Sequence, residues 1–168
     1  QREIVKSRHY ILKFMRRRGF VFRHGAHWTV RHFRWIQQVL GAGTLPTEDQ
    51  VVLSEYLALL EYKLQRRDEL DERIVALALT PRYKPMVDRI GCFRGFKTQA
   101  AMVIATELGD LRRFESPRQL MAYVGLVPGE HSSGERRRLG SITKAGNTRV
   151  RHILIQAAWH YQKRPTVG

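Results

Sequence analysis

The densest collection of reactive side chains lies between Gly125 and Arg151, in the segment GLVPGEHSSGERRRLGSITKAGNTRVR. Ser132 and Ser133 precede Gly134 and then Arg136, Arg137 and Arg138, while Ser141, Thr143 and Gly146 surround Lys144. A serine hydroxyl is a weak nucleophile unless a base takes its proton or cations favour the charge that develops on attack. Arg136, Arg137, Arg138, Lys144, Arg149 and Arg151 are the nearest cations in sequence, and a guanidinium fork matches two phosphate oxygens. The pattern points to phosphate chemistry. GSITKAGN lacks the spacing of a nucleotide-binding P-loop, and Gly129 to Gly134 is not the G-x-S-x-G of a serine hydrolase. From the residues alone, Ser132 and Ser133 are each either a nucleophile or a turn hydroxyl bonded to backbone. His131 is either a proton acceptor or an exposed loop histidine.

The elements that must position this segment read as helices. Apolar residues at 3.6-residue spacing predict an amphipathic basic helix over residues 2–18 with Ile4, Val5, Ile11, Leu12, Phe14 and Met15 inward, ended by Gly19. Thr29 is a candidate N-cap for a helix burying Phe33, Ile36 and Leu40, and Thr47 opens a long helix. In that helix Leu53, Leu57, Leu60 and Leu64 form one seam and Leu70, Ile74 and Leu77 another, out of phase across Gln65 to Glu69. The pair of seams fits either a coiled-coil arm or a core helix, bent near Arg66 or split in two. Pro85 to Cys92 predicts a short helix, and Thr98 a cap for one through Leu108. The turn between them, with Arg94, Gly95 and Lys97, resembles a helix-hairpin-helix, whose backbone amides hold a DNA phosphate. Ser116-Pro117 opens a helix with Leu120, Met121 and Val124 inward, and Asn147 caps one in which Val150, Leu154, Ala157 and Tyr161 repeat. The fold class expected is mainly α: connecting helices and a coiled-coil arm over 1–80, then a small helical domain over 81–168 with the hairpin-like turn and the glycine-rich loop.

Thirty Lys and Arg against fifteen Asp and Glu give a net charge of +15, which favours a polyanionic partner, nucleic acid first. Residues 1–38 carry ten Lys and Arg against one acid, residues 45–80 four against eight, and residues 129–168 eight against two, so the excess is not an even coat. Hydrophobic residues at 43% suffice for a core. A lone cysteine, Cys92, excludes a disulfide framework and a multi-cysteine metal site, and is expected to be a buried thiol. His24, His27 and His32 lack nearby Cys or carboxylate partners for a metal. Glu107 and Asp110 could share one in spacing, though Gly109-Asp110 reads better as a helix end. No apolar run approaches the about 18 residues of a membrane span, so a cytoplasmic location is expected.

Taken in order, Glu107-Leu108-Gly109-Asp110, Arg113-Phe114, Gly125-Leu126-Val127-Pro128, Ser132-Ser133-Gly134, Ile142 to Asn147 and Ala157-Ala158-Trp159 resemble the C-terminal domain of transposases of the insertion sequence 110 family. The resemblance covers about residues 90–163; residues 1–80 look like the family's connecting helices and coiled-coil arm, with His27-Trp28-Thr29 and His32 to Trp35 as weaker marks. It implies a DNA recombinase in which Ser133 forms a covalent phosphoserine, with Arg94, Lys97, Arg136, Arg137, Arg138, Lys144, Arg149 and Arg151 as candidate nucleic-acid contacts. A covalent intermediate keeps the energy of the cut bond, so no nucleotide cofactor is implied. Such enzymes also carry an N-terminal RuvC-like domain with metal-binding acids, whereas residues 1–38 hold only Glu3. The expectation is therefore a fragment that binds no metal itself, with Mg²⁺ entering through the acidic domain of the full-length enzyme, and that is incompetent alone. The resemblance also implies homo-oligomers and, in several members, a structured guide RNA. The alternative is a non-catalytic nucleic-acid-binding and dimerisation module.

Overall fold

The helical spacing of the sequence is realised in a computed structural model that describes residues 1–130 and 139–162, and among these only one small hairpin is not helix or connection. The chain divides into two compact units, residues 1–70 and 71–168.

The first unit consists of α1 (Arg2–Arg17), α2 (Val30–Gly41) and the first three quarters of α3 (Thr47–Ala78). The stripe read from α1 is its buried face: Ile4, Ile11, Phe14 and Met15 join Ile36, Val39, Leu45, Leu53 and Leu60 in one core. Val5 is the exception, lying at the edge of the stripe and half exposed. Complete burial of Ile11, Ile36, Leu53 and Leu60 contributes about 1.5–3 kcal/mol each. Gly19 ends α1 as expected: its N–H donates to the Arg16 carbonyl and the Phe20 N–H to the Met15 carbonyl. Thr29 caps α2 by accepting from the His32 N–H at 3.3 Å. The phase change between the two seams breaks nothing, since α3 is one helix of 32 residues. Gln65, Arg66, Arg67 and Glu69 are good helix formers, and Gln65 and Arg66 both donate to the Glu69 carboxylate one turn on. The first seam fills the core of this unit, whereas Leu70 and Leu77 of the second are 43% and 50% exposed.

The second unit holds the end of α3, α4 (Lys84–Gly91), α5 (Thr98–Leu108), α6 (Pro117–Tyr123), β1 (Pro128–Glu130), β2 (Leu139–Ile142) and α7 (Thr148–Trp159). Its core gathers Ala78, Val87, Ile90, Ala101, Met102, Ile104, Leu108, Val124 and Val150. Three expectations change here. Met121 and Tyr161 are exposed, because α6 is only seven residues long and α7 tightens into a 3₁₀ turn at His160. The Cys92 thiol is exposed too, donating to the Asp88 carbonyl at the end of α4. Lys97, not Thr98, is the N-cap residue of α5, and no side chain caps that end. β1 and β2 pair antiparallel, with Pro128 opposite Ile142 and Glu130 opposite Leu139.

Candidate functional site

Ser133, with Arg136, Arg137 and Arg138, belongs to the eight residues between β1 and β2, outside the described residues. What the structure shows is how the two ends of that segment are fastened. α6 ends at Gly125, whose N–H donates to the Ala122 carbonyl while the Leu126 N–H donates to that of Met121. The chain then runs antiparallel to the residues after β2: the Thr143 N–H donates to the Val127 carbonyl at 2.9 Å and the Lys144 N–H to that of Gly125 at 3.1 Å. Two glycines let these backbones touch. A Cβ on Gly125 would lie 1.9 Å from the Ala145 carbonyl oxygen, and one on Gly146 1.9 Å from that of Tyr123. Both also take positive φ, 70° and 85°, where a side chain is strained whatever the space.

Arg151 locks this contact from α7. Its guanidinium is buried, with Nη1 donating to the Val124 carbonyl at 2.8 Å and to the Ala145 carbonyl at 3.1 Å, and Nη2 to the Thr148 hydroxyl at 3.2 Å. One side chain thus ties the end of α6 to the strand returning from β2. The sequence marks Arg151 as a candidate phosphate contact; its described donors hold two backbone carbonyls and the Thr148 hydroxyl. Lys144 has positive φ, 56°, and is exposed beside the same junction.

Asn147 and Glu107 fix the start of α7. The Asn147 carbonyl oxygen accepts from the N–H groups of Arg149 and Val150, as its place in the sequence predicts for a cap. Its amide donates to Glu107 Oε2 at 2.6 Å, and Arg149 Nη1 donates to Oε1 of the same carboxylate at 3.1 Å. The Asn147 hydrogen bond first, and Arg149 second, hold the Glu107 carboxyl below its ordinary range. Asp110 is held low by Arg112, whose side chain and N–H it accepts. The two carboxylates thus have separate partners, Asn147 and Arg149 for Glu107 and Arg112 for Asp110. Among the described residues no three His, Cys, Asp or Glu side chains gather as a metal site would need. The Glu107–Asn147 contact is one the sequence half disclosed: the cap was legible, whereas the 40-residue jump to α5 was not.

Arg94 and Lys97 lie elsewhere, at the turn between α4 and α5. This turn packs on the C-terminal end of α7: a Cβ on Gly95 would meet Ala157 Cα at 2.9 Å, and the Arg94 N–H donates to the Tyr161 hydroxyl at 3.1 Å. The described candidates thus form two groups, Lys144, Arg149 and Arg151 at one end of α7 and Arg94 and Lys97 at the other, separated by about 15 Å of helix.

Residues 88–166 match the family described as Transposase IS116/IS110/IS902. The chain is 37% identical over 163 residues to the putative transposase y4qE of Sinorhizobium fredii, covering 96% of this chain and 37% of that protein. It is 30% identical over 165 residues to the transposase for insertion sequence element IS1111A of Coxiella burnetii, 92% of this chain and 43% of that one. A probable family 20 transposase of Pseudomonas aeruginosa is 40% identical over 72 residues, 43% of this chain and 21% of its own length. The chain spans less than half the length of each of these curated relatives. Among the described residues no helix is long and apolar enough to cross a membrane.

Proposed function

We propose, from the match of residues 88–166 to the IS116/IS110/IS902 transposase family, that the chain supplies the serine half of a DNA strand-transfer site. The Ser133 Oγ attacks a backbone phosphorus; the P–O bond to one strand end breaks, and that end leaves as a hydroxyl carrying the proton. The phosphoserine ester is then attacked by a hydroxyl of another strand end, which restores the serine and joins the strands. Arg136, Arg137, Arg138, Lys144 and Arg149 stabilise the charge on the phosphate oxygens. Arg151 acts one step back, holding the two ends of the segment that carries Ser133. The observation that supports this reading most is that the family match is continuous across α5, the hairpin and α7, with Ser133 inside it.

The other elements of the reading follow from the same family. DNA is the principal partner, a structured guide RNA is a second polyanion to test, and Mg²⁺ belongs to acids supplied from outside this chain. A homo-oligomer belongs to the same reading. The alternative, a nucleic-acid-binding module without chemistry, is separated by one experiment. Labelled nicked DNA is mixed with the chain and with a longer family transposase whose own serine is changed to alanine. The expected product is a denaturation-resistant DNA adduct of this chain's mass, absent with Ser133→Ala. Salt-sensitive binding without that adduct would leave the module reading.

A further inference from the structure

At the turn between α4 and α5, two backbone amides and the open face of the glycine are already occupied. A helix-hairpin-helix holds duplex phosphate through free backbone amides and an open glycine face. Here the Arg94 N–H is taken by the Tyr161 hydroxyl and the Phe96 N–H by the Phe93 carbonyl, while the open side of Gly95 is filled by Ala157 and His160. Besides the start of α5, which no side chain caps, the turn presents side chains outward. Phe93 is 61% exposed and Tyr161 58%, although an aromatic ring gains most from burial. Phe93, Arg94, Lys97, Gln99 and His160 line one concavity of roughly 750 Å³, within the range of about 300–1,000 Å³ typical of small-molecule sites. Lys97 stands exposed at its rim.

An exposed ring beside fixed cations is the recurring surface for unpaired nucleotides, because every base has a face to stack while the phosphates between bases meet the cations. We propose that this concavity binds an unpaired nucleobase of a single-stranded segment, stacked on Phe93, with the adjoining phosphate on Lys97. Gln99 and His160 supply polar groups for the base edge. The proposal rests on the nucleic-acid reading above and adds to it a substrate class: strand ends or loops rather than continuous duplex. Single-stranded DNA and single-stranded RNA share this chemistry, and the test separates them.

Fluorescein-labelled dT and U oligonucleotides, and a DNA duplex of matched length, are titrated with the 168-residue chain at constant salt. The expected result is tighter binding of a single strand than of duplex, weakened about tenfold in Phe93→Ala with duplex binding unchanged. Phe93→Trp should restore it, and Phe93→Leu, which keeps an apolar side chain without a π face, should not. Preference for dT over U makes the ligand DNA, and the reverse makes it RNA. If Phe93→Ala and Phe93→Leu leave single-strand affinity unchanged, the stacking site is overturned while the polyanion reading stands. If no nucleic acid binds in a salt-dependent way, both fall.

Discussion

The two units solve the same problem, holding a non-helical segment in place, by opposite means. Residues 18–29 of the first unit are fixed by apolar and aromatic packing: Phe22, Trp28 and Trp35 enclose His32, with ring centroids 4.9, 5.1 and 5.7 Å from it. The hairpin of the second unit is fixed by polar and backbone contacts: two glycines in van der Waals register with facing carbonyls, one arginine on two carbonyls, and a glutamate on the cap of α7. Packing of rings tolerates small adjustments of shape. Backbone against backbone tolerates none, so the stretches flanking the hairpin cannot shift past one another.

The sharpest break in that contrast is a methyl group. Gly125→Ala and Gly146→Ala each force a Cβ onto a carbonyl oxygen that cannot yield without moving both strands. Each should destabilise the second unit by about 3–5 kcal/mol. Hydrogen exchange should show loss of protection over residues 120–155, with residues 4–60 unchanged. Equal loss in both units would mean that they do not hold their segments independently.

Arg151→Met comes next. It leaves the Val124 and Ala145 carbonyls without their donor, a loss of about 2–3 kcal/mol, read as a lowered denaturant midpoint of the second unit. Arg149→Met removes an exposed arginine and should change stability far less. If the two variants are equally mild, Arg151 is a surface cation after all.

The first unit should instead respond to pH. His32 Nδ1 accepts the Trp28 N–H at 3.1 Å, so the neutral ring carries its proton on Nε2, which is buried with no hydrogen-bond partner. Burial, and to a lesser degree His27, lower its pKa below 6.5. The folded state thus prefers neutral imidazole. Its stability contribution is complete above the unfolded value of 6.5 and is lost as pH falls through the folded value. Thermal melts should show the first unit weakening below that pH. His32→Asn, which can keep an acceptor for Trp28 N–H, should be less stable at neutral pH but should lose that slope.

This contrast also explains what the sequence could disclose. Thr29, Ser116 and Asn147 were legible as caps, and the stripes of α1 and α7 as buried faces, because caps and periodicity are local. The core role of Leu53 and Leu60 was open until α1 and α2 could be seen covering them. At the site, the glycines, hydroxyls and cations of Gly125 to Arg151 marked the region from composition alone. Their division of labour was not legible. Arg151 and Arg149 are two residues apart and chemically alike, yet helical phase turns one into the core and the other toward Glu107. The same limit hid the exposed Cys92, whose burial depended on how the turn after α4 met its neighbours.

The smallest predicted effect tests the polar scaffold on its own terms. Glu107 accepts from the Asn147 amide and from Arg149, and both lower its pKa below 4.5. The carboxylate therefore favours the folded state above that value, and the contribution is lost as pH falls through the folded pKa. Because the group sits at the surface, the loss should be confined to the first turn of α7 and not unfold the unit. Amide exchange of residues 148–151, corrected for its intrinsic pH dependence, should accelerate on acidification below pH 4.5. In Glu107→Gln the side-chain carbonyl can still accept from Asn147 but cannot titrate, so the acceleration should vanish while protection at neutral pH stays nearly intact. An acid response that persists in Glu107→Gln would transfer the effect to another carboxylate and remove Glu107 from the supports of α7.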